Sequence, residues 1–250
     1  MKLNVAITVL GFVLQGIAAQ AAEIRMLNSA AIKPVIDALG PQFEKSTGHK
    51  IAARYELTPA VKTLAEKGEP FDVIVANPGH IEDLIKQGVV AAGSRADIAR
   101  FGVGLGVREG APRPDIATVD AFKRALAEAS SVAYIGAGTS GAYVAKLLER
   151  LGLSDTVKPK LKPGGTGESL AAVAKGDIQM VLMPVPLIRA HKGVELAGAL
   201  PEELQDHIVM TVGVGSAAKD PAAAHALVKF LMANDATATI NARGYERLKR

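Results

Sequence analysis

The chain has 250 residues, 49% of them apolar, with a formal net charge of +4 at pH 7, 4% aromatics, no Trp and no Cys. The missing thiols exclude disulfides, thiolate metal sites and a cysteine nucleophile. The scarce aromatics argue against a stacking platform for sugars or bases. The basic residues are scattered apart from Arg243, Arg247, Lys249 and Arg250, and offer no concentrated face for nucleic acid.

Met1-Lys2 supplies a short positive region, and Leu3 to Ala19 is almost wholly apolar. Ala19-Gln20-Ala21 then fits a small-x-small cleavage site. Residues 1–21 are therefore expected to be a signal peptide that sends residues 22–250 to the periplasm. No later apolar run reaches the length of a membrane span.

The first predicted strand is Glu23 to Leu27, broken at Asn28-Ser29-Ala30. A helix follows from Ile32 to Thr47, with Val35, Ile36, Leu39 and Phe43 at helical spacing and Gly48 as its stop. Lys50 to Leu57 alternates as a second strand. Thr58 is expected to cap the next helix, with Pro59 at its first position. Phe71 to Ala76 reads as a strand buried on both faces. Asn77-Pro78-Gly79 turns into a helix over His80 to Gln87, closed by Gly88. Arg100 to Val107 reads as one further strand.

After a Pro- and Gly-rich connection, a helix is predicted over Thr118 to Ala129, a strand over Ser131 to Ile135, and a glycine-rich turn over Gly136 to Gly141. A helix over Ala142 to Leu151 and a strand over Thr156 to Leu161 come next. The turn Lys162 to Gly167 opens a helix over Glu168 to Lys175. Ile178 to Met183 is a strand, and Pro184 and Pro186 are expected to interrupt regular structure after it. His207 to Val214 is the last strand and Pro221 to Met232 the closing amphipathic helix. A terminal helical stretch over Ala236 to Lys249 is broken at Gly244.

This succession of strand and helix, repeated without a linker, predicts an α/β chain of two lobes joined by crossing strands. Lobe one is placed at residues 22–104 and 208–250, and lobe two at 105–207. The first strand–helix turn, NSAAIKP, lacks the G-x-G-x-x-G of a dinucleotide site.

The turns carry the chemistry. Asn28-Ser29-Ala30, Thr58-Pro59-Ala60, Asn77, Thr139-Ser140-Gly141 and Gly165-Thr166 all lie at carboxyl ends of predicted strands, where open α/β sheets place ligands. A helix start presents unpaired N–H groups and a partial positive charge, so several converging on one cleft hold an anion without a buried cation. Arg54, Arg100 and Arg189 are candidate cations for a carboxylate, Arg100 foremost. Tyr55 and Tyr143 are candidate hydroxyl donors. Ligand contacts are expected from Asn28, Ser29, Ala30, Thr58, Ala60, Asn77, Arg100, Thr139, Ser140, Gly141, Tyr143, Gly165 and Thr166. His49, His80, His191, His207 and His225 show no ligand spacing, and neither a metal nor a cofactor is expected. There is no G-x-S-x-G, H-E-x-x-H or Walker loop.

Several passages together resemble the periplasmic molybdate-binding protein family of ABC-importer solute-binding proteins. They are NSA at 28–30, FEKSTGHKI at 43–51, GEPFDVIVANPGHIEDLIKQGVV at 68–90, GTSGAYVAKLLERLGL at 138–153, VAKGDIQMVLMP at 173–184 and PAAAHALVKFLMA at 221–233. The resemblance spans nearly all of residues 22–250. It implies the type II periplasmic-binding fold, closure over a small anion such as an oxyanion or organic carboxylate, delivery to an ABC importer permease in the inner membrane, and a monomer. Two positions depart from the family: Leu57-Thr58-Pro59-Ala60 replaces a Ser-Ser-Gly turn, and Pro184-Val185-Pro186 stands where a Tyr is common. Bacterial aconitate isomerase also looks like this family, which keeps open a periplasmic isomerase of a tricarboxylic acid, with Glu168 or His80 as its base.

Overall fold

The computed structural model describes residues 21–137 and 139–248. The expected signal peptide up to residue 20 and Gly138 lie outside the described residues, as do the side chains of Thr139 and Ser140. In chain order the elements are β1 (Glu23–Ser29), a 3₁₀ turn (Ala30–Ile32), α1 (Lys33–Thr47), β2 (Lys50–Glu56), α2 (Thr58–Glu66), β3 (Val73–Ala76), α3 (Pro78–Lys86), β4 (Ala96–Phe101) and β5 (Val103–Arg108). Then come α4 (Val119–Glu128), β6 (Val132–Ile135), α5 (Thr139–Arg150), α6 (Ser154–Val157), β7 (Leu161–Gly164), α7 (Thr166–Lys175), β8 (Met180–Pro184), α8 (Val185–Ala190), β9 (Val194–Ala199), β10 (Ile208–Val214), α9 (Pro221–Met232) and α10 (Ala236–Ala242).

Two mixed five-stranded sheets result, ordered β2-β1-β3-β10-β4 and β7-β6-β8-β5-β9. In the first, β1 runs parallel to β2 and β3, while β10 is antiparallel to β3 and β4. The second repeats the plan: β6 is parallel to β7 and β8, and β5 is antiparallel to β8 and β9. This is a two-lobed α/β fold. The chain passes between sheets twice, at Phe101–Val103 and between Ala199 and Ile208.

Period-two alternation explains why each sheet is covered on both faces. From β1, Ile24 and Met26 pack with Phe43 and Leu39 of α1 and Leu227 of α9, whereas Leu27 meets Val61 of α2 and Ile81 of α3. In the second lobe, β6 sends Val132 toward Phe122, Val144 and Leu148, and Ala133 toward Leu170 and Ile188.

α1 closes at Gly48, which has φ 79° and donates its N–H to Glu44 O at 2.9 Å. No atom lies within 4 Å of a Cβ built there, so only the left-handed backbone opposes a side chain. Gly48→Ala is therefore expected to cost ~1 kcal/mol in urea unfolding, with no effect on ligand binding.

Three expectations need correction. Residues 100–107 are not one strand: the run breaks at Gly102, and β4 and β5 belong to different sheets. A Cβ at Gly102 would lie 2.5 Å from Gln205 Oε1, because the Gln205 amide clasps Val103 N and O at 3.1 and 2.8 Å. Thr156 to Leu161 is not a strand either; α6 and a 3₁₀ turn (Lys158–Lys160) bury Val157 against the α5 side, and β7 starts only at Leu161. Pro184 and Pro186 do not interrupt structure. They open α8, where proline's fixed φ and missing N–H suit a helix start.

Candidate functional site

A narrow cleft of about 30 Å³ opens between the two sheets at the carboxyl ends of their parallel strands. Lobe one contributes Ser29, Ala30 and Ala31 after β1, and Glu56, Leu57 and Thr58 after β2. Lobe two contributes Ile135 and Ala137 after β6, Thr166 at the start of α7, and Pro184 and Leu187 after β8. Phe101, Ile208 and Met210 form the wall beside the crossings.

The polar heart of the lobe-one wall is a pair of hydroxyls. Ser29 and Thr58 are both buried, and Ser29 Oγ lies 2.8 Å from Thr58 Oγ1. Ser29 Oγ also accepts Ala31 N at 3.3 Å and so caps the 3₁₀ turn that leads into α1. The expected side-chain cap of α2 by Thr58 is not formed. The helix begins at Thr58 itself, Leu57 takes the cap position without a side-chain bond, and the Thr58 hydroxyl is spent on Ser29. Across the cleft, α7 begins at Thr166, and the Glu168 carboxylate accepts Gly165 N at 3.4 Å.

Of the expected ligand residues, the structure brings Ser29, Ala30, Thr58 and Thr166 onto one cleft. Gly141 lies at the start of α5, where a Cβ would fall 1.9 Å from Ile135 O; only glycine permits that approach of helix to strand end. Gly165 caps α7 beside Thr166. Ala60 sits in the first turn of α2, its N–H used by Leu57 O.

The others lie off this wall. Asn77 and Tyr143 line a neighbouring groove between the lobes, with Lys146, Asp206 and His207. Burial pushes the Tyr143 phenol up to about 12, and its hydroxyl donates to Leu204 O. Arg100 does not reach the cleft: Glu246 holds its Nε at 2.8 Å and its terminal nitrogen at 2.7 Å, along the edge strand where the two backbones also pair. Arg54 is shared by Glu56 and Glu69, and Arg189 is exposed near Gly244. Burial raises the Tyr55 hydroxyl above its ordinary value, with Asp37 adding to the shift. Asn28 is fully buried between its register partners Tyr55 and Val75, and neither of its amide atoms has a hydrogen-bond partner among the described residues.

The two side chains weighed as proton-transfer bases are also off the wall. Glu168 is exposed and does not line the cleft; one of its oxygens accepts Gly165 N at 3.4 Å. His80 sits where α3 packs on α2, with burial and Lys62 lowering its pKa and the charge of Asp83 and a hydrogen bond to the Thr58 backbone opposing them.

Sequence reasoning missed the apolar wall and Glu56. One signal was available only in three dimensions: Leu57 is the single exposed large hydrophobic among the described residues, and it sits on the cleft. Apart from Glu56 the wall carries no charge, so helix starts and hydroxyls supply its electrostatics, an arrangement that suits an anion. Among the described residues, no group of three or more His, Asp or Glu is disposed to hold a metal.

Comparison with known proteins gives a consistent picture. Residues 24–246 match the family described as bacterial extracellular solute-binding protein. An aconitate isomerase from a Pseudomonas species is 32% identical over 227 residues, covering 88% of this chain and 86% of that protein. The molybdate-binding protein ModA of Azotobacter vinelandii is 31% identical over 255 residues, covering 98% of each. The solved periplasmic molybdate-binding protein of Azotobacter vinelandii superposes with a TM-score of 0.77 at 20% identity, covering 90% of this chain and all of that one, which establishes likeness of fold.

Proposed function

The chain belongs to the bacterial extracellular solute-binding protein family, and from that premise we propose that it captures a small anion between its lobes and passes it to an ABC importer. One observation carries the reading: a hydroxyl-bearing helix start from each lobe, at Thr58 and Thr166, and the Ser29 cap meet on a wall without a cation. Fixed N–H dipoles stabilise negative charge there without the cost of burying a counter-ion. The molybdate-binding relative supports an oxyanion as ligand, and the aconitate isomerase relative a small carboxylate.

The remaining parts belong to the same reading. Residues 1–21 direct export to the periplasm, and no helix among the described residues is long and apolar enough to cross a membrane. The protein works as a monomer and docks on an inner-membrane permease once closed. For closure, 22–104 with 208–250 move against 105–207, to within the two residues by which β5 reaches back to Val103.

A thermal-shift series with molybdate, sulfate and small carboxylates tests the proposal. A true ligand at ~100 times Kd stabilises the fold by ~2.7 kcal/mol. The same ligand is expected to compact the molecule in small-angle scattering, because contacts from both lobes favour the closed form. Stabilisation by none of these anions overturns the anion reading; stabilisation without compaction overturns closure.

A second reading is favoured by the aconitate isomerase relative, which matches over most of the chain. In it the same cleft binds an unsaturated tricarboxylate and moves a proton within it.

A further inference from the structure

Glu56 is the one titratable residue lining the cleft among the described residues, and its side chain is about a third exposed. A carboxylate facing a bound anion repels it, so in a site built only to hold anions its presence is a cost. Arg54 does not cancel it. Its guanidinium reaches Glu56 Oε1 from Nε at 3.1 Å and from a terminal nitrogen at 3.0 Å, and meets Glu69 at 3.0 Å through the other. One positive charge is thus shared by two carboxylates, and the three side chains sum to one negative charge. The pairing fixes Oε1, and no hydrogen bond reaches Oε2 among the described residues. The pairing orients the carboxylate through Oε1 and leaves the lone pairs of Oε2 open to accept a proton.

Its position adds to this. Glu56 and Ser29 are register partners at the ends of β2 and β1. The Ser29–Thr58 hydroxyl pair, the 3₁₀ turn that Ser29 caps and the start of α2 therefore stand beside it. Charge that develops on a substrate carboxylate next to Glu56 falls where donors are already oriented.

We propose that Glu56 is the catalytic base of this cleft, moving a proton between two carbons of a bound unsaturated polycarboxylate. The proposal rests on the second reading above. The Glu56 carboxylate removes a proton from a methylene flanked by a carboxylate and a C=C bond. The C–H electron pair becomes the new C=C bond, and the former π pair is pushed onto the carboxylate at the far end as a dienolate. That charge faces the Ser29 and Thr58 hydroxyls and the helix starts. The pair returns to the former vinylic carbon, which takes the proton from the Glu56 carboxyl. The double bond has moved by one carbon, its geometry is set anew, and Glu56 is again a carboxylate. No oxidant, reductant or other reactant enters.

The test uses the full mature protein with trans-aconitate as probe, binding followed by calorimetry and the cis isomer by chromatography. The parent is expected to bind and to form the cis isomer. Glu56→Gln, which keeps the shape and removes the base, is expected to lose turnover ~100-fold or more while binding trans-aconitate at least as tightly as the parent, because the repelling charge is gone. Glu56→Asp is expected to recover part of the rate. Binding by the parent without any cis isomer overturns the base assignment and leaves anion capture standing. Absence of binding by trans-aconitate or by any other anion overturns both. A Gln variant that isomerises at the parent's rate places the proton transfer on another group and sinks the proposal.

Discussion

Asp72→Ala is expected to lower folding stability by ~3 kcal/mol, read as a shift in urea midpoint at pH 7 with the slope unchanged. Asp72 is buried at the base of lobe one, away from the cleft, and its carboxylate is fully used. Oδ2 accepts Arg25 N at 2.8 Å and Arg25 Nε at 2.9 Å; Oδ1 accepts the Arg25 terminal nitrogen at 2.9 Å and Lys219 N at 2.7 Å. The one side chain ties β1, the approach to β3 and the loop before α9. Removing it strands two backbone N–H groups and a guanidinium. Arg25 keeps some contact with water, which sets the loss near the low end for a broken buried pair. Anion binding at saturating ligand is expected to survive, since no cleft residue touches this cluster.

The same group sets a pH dependence. Burial by itself would raise the Asp72 carboxyl, but the Arg25 hydrogen bonds, the Lys219 and Arg25 backbone N–H groups and the charge of Arg25 outweigh it and hold the carboxyl at about 2, below its ordinary 3.8. A depressed folded-state value stabilises the fold above the unfolded value. The contribution of ~2 kcal/mol is therefore fully present at neutral pH and is lost as pH falls from about 4 through 2. The parent should lose more stability than Asp72→Ala between pH 5 and pH 2; parallel losses would show that Asp72 is not the linked group.

What the sequence discloses and what it hides divide along physical lines. α9 is legible residue for residue, because Asp220 caps it, Pro221 opens it and Leu227, Val228 and Leu231 repeat at helical spacing. β3 and β8 are legible because burial on both faces leaves continuous apolar runs. The β4–β5 break is not, since Phe101 and Val103 are apolar on either side of Gly102 and only Gln205, a hundred residues on, shows that the chain changes sheets there. α6 misleads because Thr156 and Val157 favour strands by themselves, and packing decides otherwise. In the site, the turns at Ser29, Thr58 and Thr166 stand out because hydroxyls at strand ends are a local signal. Ile208 and Met210 read as ordinary strand residues until β10 returns to lobe one. Glu56 reads as the exposed member of an alternating pair until Ser29 is placed beside it.

The double variant Ser29→Ala, Thr58→Val is expected to weaken anion binding ~100-fold, and by more than the product of its two single variants. The reason lies in the 2.8 Å bond between the hydroxyls. Two hydroxyls carry two hydrogens; one is consumed in their mutual bond, and one remains to donate toward the cleft. If Ser29 is truncated, the Thr58 hydrogen is released to the anion, and the converse holds for Thr58→Val. Each single variant therefore loses only the polarisation of a hydroxyl by its neighbour, an effect of about fivefold. Removing both deletes the charge-assisted bond itself, worth ~1.5–3 kcal/mol. Folding suffers little, since Ser29 contributes one cap and Thr58 none. Calorimetry with whichever of molybdate, sulfate or a small carboxylate stabilises the parent most measures the cycle. A double variant within threefold of the parent places the anion away from this pair. A double variant that equals the product of the singles shows that each hydroxyl donates on its own and that their mutual bond opens when the anion enters.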